Sequence, residues 1–232
     1  MNTDITSVAR LAEEQVRTVL HAADAVLSPH GDRPWWFRCT PTEIELHENT
    51  DAVGTHEERI LACGGALLNL RLAVQAMGVH ADVRLLPDAA EPCLLAVLRP
   101  EHERHATTWE RQLAMGFRIE SAPEPVAALP ELRRAAEIEH AWLARLSSAQ
   151  LAALGVAASP LVVVIGSLEG GVRALLQAGG AVQRVRVTAV ALGLEAVLLE
   201  GPLATPAGRV ELRALIGGAL SPHAVLAVRS RG

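Results

Sequence analysis

Lysine and tyrosine are both absent from this 232-residue chain. All of its 21 basic residues are therefore Arg. Schiff-base catalysis and a phosphate-loop lysine are excluded, and so is any mechanism that needs a phenol hydroxyl. Aromatic residues amount to only 3%. Cysteine is sparse: Cys39, Cys63 and Cys93 stand alone, with no C-x-x-C pair. An odd number of unpaired cysteines is not a disulfide framework and fits a reduced, cytoplasmic protein. A basic stripe is missing too. The net charge of -5 argues against a nucleic-acid partner. The longest apolar stretch, Leu151 to Gly166, is interrupted by Ser159-Pro160. It falls short of the roughly 20 residues that span a bilayer, so no membrane partner is expected. Met1-Asn2-Thr3-Asp4 carries an acid and no basic run, so it does not read as a signal peptide.

What is present is apolar. Half of the residues are hydrophobic and 20% are charged, which excludes disorder and supplies ample core. The length allows one large domain or two small ones. Along the chain, apolar positions at helical spacing (Val8, Leu11, Val16, Val19, Leu20) predict a helix over 5–27. Ser28-Pro29-His30-Gly31-Asp32 then breaks the pattern. Short strands are expected at 34–39 and 43–47, followed by a long apolar helix at 56–78. Strands at 81–86 and 93–99 come next, then helices at 103–116 and 127–147. The second half predicts a strand at 161–165, a helix at 169–192, a strand at 195–200, a helix at 208–216 and a strand at 223–229. Charge is uneven: residues 1–60 hold 11 acids and 5 Arg, whereas residues 151–232 hold 4 acids and 7 Arg.

The chain also repeats itself. Gly64-Gly65-Ala66-Leu67-Leu68-Asn69-Leu70-Arg71-Leu72-Ala73 recurs as Gly179-Gly180-Ala181-Val182-Gln183-Arg184-Val185-Arg186-Val187-Thr188. Ala76-Met77-Gly78-Val79 faces Ala191-Leu192-Gly193-Leu194, and Pro87 faces Pro202. The offset stays at 115, close to half the chain. Paired helical glycines cost roughly 1 kcal/mol each against Ala, so close packing must compensate. Two Ala-rich helices can resemble one another by chance. Offset, glycine spacing and flanking strands agree here, which favours two half-units, 1–115 and 116–232, about a pseudo-two-fold axis.

The residues that carry a family resemblance lie in both halves. Ser28-Pro29-His30-Gly31-Asp32-Arg33-Pro34-Trp35-Trp36-Phe37 resembles the nitroreductase signature S-x-H-N-T-Q-P-W-x-F. Cys63-Gly64-Gly65-Ala66-Leu67-Leu68-Asn69-Leu70-Arg71-Leu72-Ala73 is similar to the C-G-A-A-L-x-N-L-R-L-A run of the Acg-type branch, and Arg84-Leu85-Leu86-Pro87-Asp88 to its strand end. Gly193 to Gly201 resembles the segment G-L/I-x-x-x-P-x-E-G, and Arg209-Val210-Glu211-Leu212-Arg213 the following R-x-x-L-R. The resemblance is thin across 100–160.

This resemblance implies an α+β nitroreductase-like fold, with helices packed on antiparallel sheet. In the Acg branch two fused half-units hold FMN between them. It further implies an oxidoreductase that uses NAD(P)H and FMN to reduce an electron-poor acceptor. Such chemistry belongs to the flavin, and the protein supplies position and electrostatics. Carried over position by position, the cofactor-binding candidates are Ser28, His30, Arg33, Trp35, Arg118, Glu200, Gly201 and Arg229. Gly31 and Arg33 stand where the family has Asn and Gln. Of the branch's R-R-T-N-R arginines only Arg118 remains, within Phe117-Arg118-Ile119-Glu120-Ser121. Arg229 and Arg231 are substitutes for the lost phosphate contacts. These departures motivate the alternative, a degenerate homologue that stores or sequesters FMN, or binds no flavin and acts as an interaction protein. A monomeric pseudo-dimer is expected, with a homodimer as the other arrangement.

Other motifs carry less. His102-Glu103-Arg104-His105 spaces two imidazoles for a metal but has no third ligand nearby. His56-Glu57-Glu58-Arg59 lacks the second His of a zincin. Gly166-Ser167-Leu168-Glu169-Gly170-Gly171 follows a strand and opens a helix, which suits an anion or, more simply, a cap or tight turn. Cys63 reads as a buried small hydrophobe. No G-x-S-x-G motif occurs, and no metal is expected.

Overall fold

A computed structural model describes residues 7–26, 31–115, 122–157, 159–199 and 201–231. The fold is α+β, with two antiparallel sheets and packed helices. Two compact units divide the chain, Met1–Met115 and Gly116–Gly232.

In the first unit, helix α1 (Glu13–Ala23) precedes strands β1 (Trp35–Cys39) and β2 (Ile44–Glu48). The long helix α2 (His56–Ala76) leads to β3 (Val79–Leu85), β4 (Leu94–Glu103) and helix α3 (Thr108–Met115). The strand order is β1-β2-β4-β3, antiparallel throughout. Helix α2 starts where Thr55 accepts from the Glu58 N–H and Glu58 reaches back to the Thr55 N–H, a reciprocal cap. It is apolar nearly all round and buries residues from Ile60 to Val74, so it is a central rather than a surface helix. Gly78 ends it at φ +79°, and a Cβ there would stand 3.0 Å from the Arg104 carbonyl. Glycine is therefore needed on two grounds.

The second unit has helix α4 (Leu129–Ile138), strand β5 (Trp142–Arg145), helix α5 (Ser148–Ala153) and strand β6 (Leu161–Ser167). Helix α6 (Val172–Ala191), strand β7 (Leu194–Leu198), helix α7 (Pro206–Leu215) and strand β8 (Ser221–Ser230) follow. The order β5-β6-β8-β7 is that of the first sheet. Both sheets also carry an irregularity at a matching place, between Leu46 and His47 and between Ile165 and Gly166. The glycine pair of α6 has a visible use. A Cβ on Gly180 would stand 3.2 Å from Glu139 Oε2, and Glu139 accepts a 2.6 Å bond from buried Arg184 Nε. The small residue leaves room for a buried ion pair.

The outer faces of the two sheets differ. In the second unit Val162, Val164 and Val225 pack with Leu146, Leu151 and Leu212, under α5 and α7. The corresponding face of the first unit carries ion pairs instead. Arg99 Nε donates to Glu43 Oε2 at 2.7 Å, and Glu45 stands opposite Val97.

Several expected elements change. The helix over 127–147 stops at Ile138 because His140 takes φ +58°. The Ala141 N–H closes back on the Ala136 carbonyl. This left-handed reversal occurs without glycine, so residue type gave no stop signal. Strand β5 then pairs along β6, and Ser147 caps α5 by accepting from the Gln150 N–H. The helix over 5–27 starts only at Glu13, because Val8 and Leu11 form an isolated bridge. The helix over 103–116 starts at Thr108, since β4 runs on through Glu103.

Candidate functional site

Half of the candidate residues, Ser28, His30, Arg118 and Glu200, lie outside the described residues. Trp35 opens β1, and Arg33 stands two residues before it. Arg33 is largely exposed, and its Nη1 lies 2.8 Å from Asp24 Oδ2. Trp35 is buried, and its indole Nε1 has no hydrogen-bond partner. A buried donor left without a partner costs about 1–3 kcal/mol, and among the described residues none accepts from this N–H. Gly31 adopts φ +72° with no atom within 4 Å of a Cβ position. Backbone can be approached closely there.

In the second unit Gly201 opens a short 3-10 turn, Gly201–Leu203, also with open space around its Cα. Arg229 Nε donates to Glu195 Oε2 at 3.0 Å, on an exposed stretch of the β7–β8 ladder. Glu195 is near the start of β7, whereas Gly201 follows its end. Arg229, paired with Glu195, and Gly201 thus lie toward opposite ends of the β7–β8 ladder.

Sequence reasoning passed over a cluster on β1 and β2. Glu45 and His47 are buried side by side. Glu45 Oε2 accepts from Arg38 Nε at 2.5 Å and meets His47 Nε2 at 2.8 Å. The Trp36 ring stacks on the His47 ring, with centroids 4.0 Å apart and planes 8° from parallel. Burial pushes the Glu45 carboxyl up, but the bonds from Arg38 and His47 outweigh it and hold it below its ordinary value. One residue on, buried Glu48 faces the other way. Its Oε1 accepts from Arg59 Nε at 2.8 Å and meets His56 Nδ1 at 3.1 Å, tying β2 to the first turns of α2. The alternation Glu43, Glu45, His47 was the available signal: period two in a strand puts all three on one face.

The remaining motifs resolve simply. His102 stacks on His80 with ring centroids 4.8 Å apart. No group of three or more His, Cys, Asp or Glu among the described residues could hold a metal ion. Cys63 donates to the Pro34 carbonyl at 3.2 Å, and burial pushes its thiol well up. Among the described residues no helix is long and apolar enough to cross a membrane.

No protein-family model matches the chain. It is similar to proteins from two strains of Mycobacterium tuberculosis, each named "Putative NAD(P)H nitroreductase", with 38% identity over 92 residues. That stretch covers 37% of this chain and 26% of each relative, so the chain matches about a quarter of their length.

Proposed function

We propose that the protein is a nitroreductase-like, FMN-binding oxidoreductase of the Acg-type branch, drawing electrons from NAD(P)H to reduce an electron-poor acceptor. The similarity to NAD(P)H nitroreductases over 92 residues carries this reading. The local donor set fits a flavin. The Trp35 indole N–H has no partner among the described residues, and the guanidinium of exposed Arg33 suits anionic or carbonyl oxygen. Open space at Gly31 and Gly201 allows backbone approach. In this reading the units 1–115 and 116–232 are two nitroreductase half-units. The cofactor-binding residues proposed are Ser28, His30, Arg33, Trp35, Arg118, Glu200, Gly201 and Arg229. FMN, when bound, supplies hydride acceptance and electron delivery. The chain's part is to bind, orient and shield it. One chain that mimics a dimer gives a cytoplasmic monomer near 24.6 kDa by light scattering; a homodimer would count against the fused-unit reading.

A storage or sequestering role is the second reading. Arg33 is already ion-paired with Asp24 and Arg229 with Glu195, so phosphate must compete with carboxylates for both. Purified protein should be yellow, or become so with added FMN, and anaerobic NAD(P)H should bleach it. A colourless protein that takes up no FMN overturns the flavin reading. Bound flavin that NAD(P)H cannot bleach overturns catalysis and leaves storage.

A further inference from the structure

The second unit contains a hydroxyl–imidazole pair that flavin chemistry does not use. Ser167 ends β6 and is buried at 5% exposure. Its Oγ lies 2.6 Å from His223 Nε2 and also donates to the Glu169 carbonyl at 2.5 Å. His223 reaches it from the start of β8. The register there steps from Ala224 to Pro222, leaving His223 as the extra residue of a bulge. Bulges re-aim side chains and recur beside active sites. Gly166, just before the serine, is required sterically, because a Cβ would stand 2.7 Å from the Ser221 carbonyl.

The surroundings suit a nucleophile. Ser167 stands at a strand-to-helix turn, directly under the exposed residues 168–171. Gly170 and Gly171 have no atom within 4 Å of a Cβ position, so the turn that follows the serine is open at its surface. Gly171 precedes the first residue of helix α6 and gives it no side-chain cap, which leaves first-turn N–H groups available to a developing negative charge. In the tautomer with Nε2 unprotonated, the hydroxyl has one proton and two acceptors. Rotation about Cβ–Oγ moves that proton from the Glu169 carbonyl to Nε2.

We propose that Ser167 and His223 form a nucleophile–base pair that hydrolyses small esters. Oγ attacks the ester carbonyl carbon as its proton passes to Nε2. The C–O bond to the alcohol then breaks as Nε2 returns the proton to the leaving oxygen. Water attacks the acyl-serine in the same way, releasing the acid and restoring the hydroxyl.

A fluorophosphonate probe tests this on the full chain. It forms an O–P bond at an activated serine and releases fluoride. The wild type should carry the adduct on the peptide that contains Ser167, and Ser167→Ala should not. His223→Asn should slow labelling by about 10²-fold or more, the usual worth of a positioned base, while circular dichroism shows the fold intact. Hydrolysis of p-nitrophenyl acetate should fall in parallel. No adduct at Ser167 in the folded wild type overturns the proposal. Labelling that His223→Asn leaves unchanged overturns it equally, and the pair then only fastens the turn.

Discussion

Replacing Glu45 with Ala removes the shared acceptor of Arg38 and His47, and the two donors should respond unequally. The Arg38 side chain is 53% exposed and that of His47 only 7%. Arg38 can turn to water, so its share is that of a surface pair, about 0–1 kcal/mol. His47, stacked under Trp36, cannot. Its stranded ring nitrogen costs the full desolvation penalty, about 1–3 kcal/mol. Glu45→Ala should therefore destabilise by about 1–4 kcal/mol, and Arg38→Ala, which leaves the carboxyl its His47 bond, by less. Urea midpoints followed by Trp fluorescence give both numbers. The sign with pH follows from the depressed folded carboxyl. Its stabilisation is present above the ordinary carboxylate range and is lost as pH falls through the folded value. Glu45→Gln should flatten that acid-side loss. A loss under about 0.5 kcal/mol for Glu45→Ala, or a larger one for Arg38→Ala, would refute the reasoning.

Other outcomes follow from single contacts. Gly78→Ala forces a left-handed Ala against the Arg104 carbonyl; a drop of about 1–2 kcal/mol or more in thermal unfolding is expected. Native protein should show fast thiol labelling at exposed Cys93 and slower labelling at Cys39, whose thiol burial raises; Cys63 should react only on unfolding. Trp35→Phe removes the indole N–H and should weaken FMN binding by about tenfold in a fluorescence titration, the equivalent of one hydrogen bond; unchanged affinity would separate Trp35 from the cofactor without touching the flavin reading.

The sequence by itself determined the central elements. The helices built on Gly64-Gly65 and Gly179-Gly180 and the strands around them were legible because burial on all sides leaves long apolar runs, ended by glycine. Reading the motif around Arg33 and Trp35 pointed to nitroreductases, as did the similarity over 92 residues. Only the tertiary structure decided the rest. Where 127–147 breaks depends on a left-handed His140 that permits β5 to pair with β6, a long-range gain that outweighs helix propensity. Glu45 and His47 read as ordinary polar strand positions until Trp36 and Arg38 close over them. Ser167 and His223 are 56 residues apart, and no local pattern joins them. Their meeting depends on strand order and one bulge, because side-chain chemistry is written locally while proximity is set by packing.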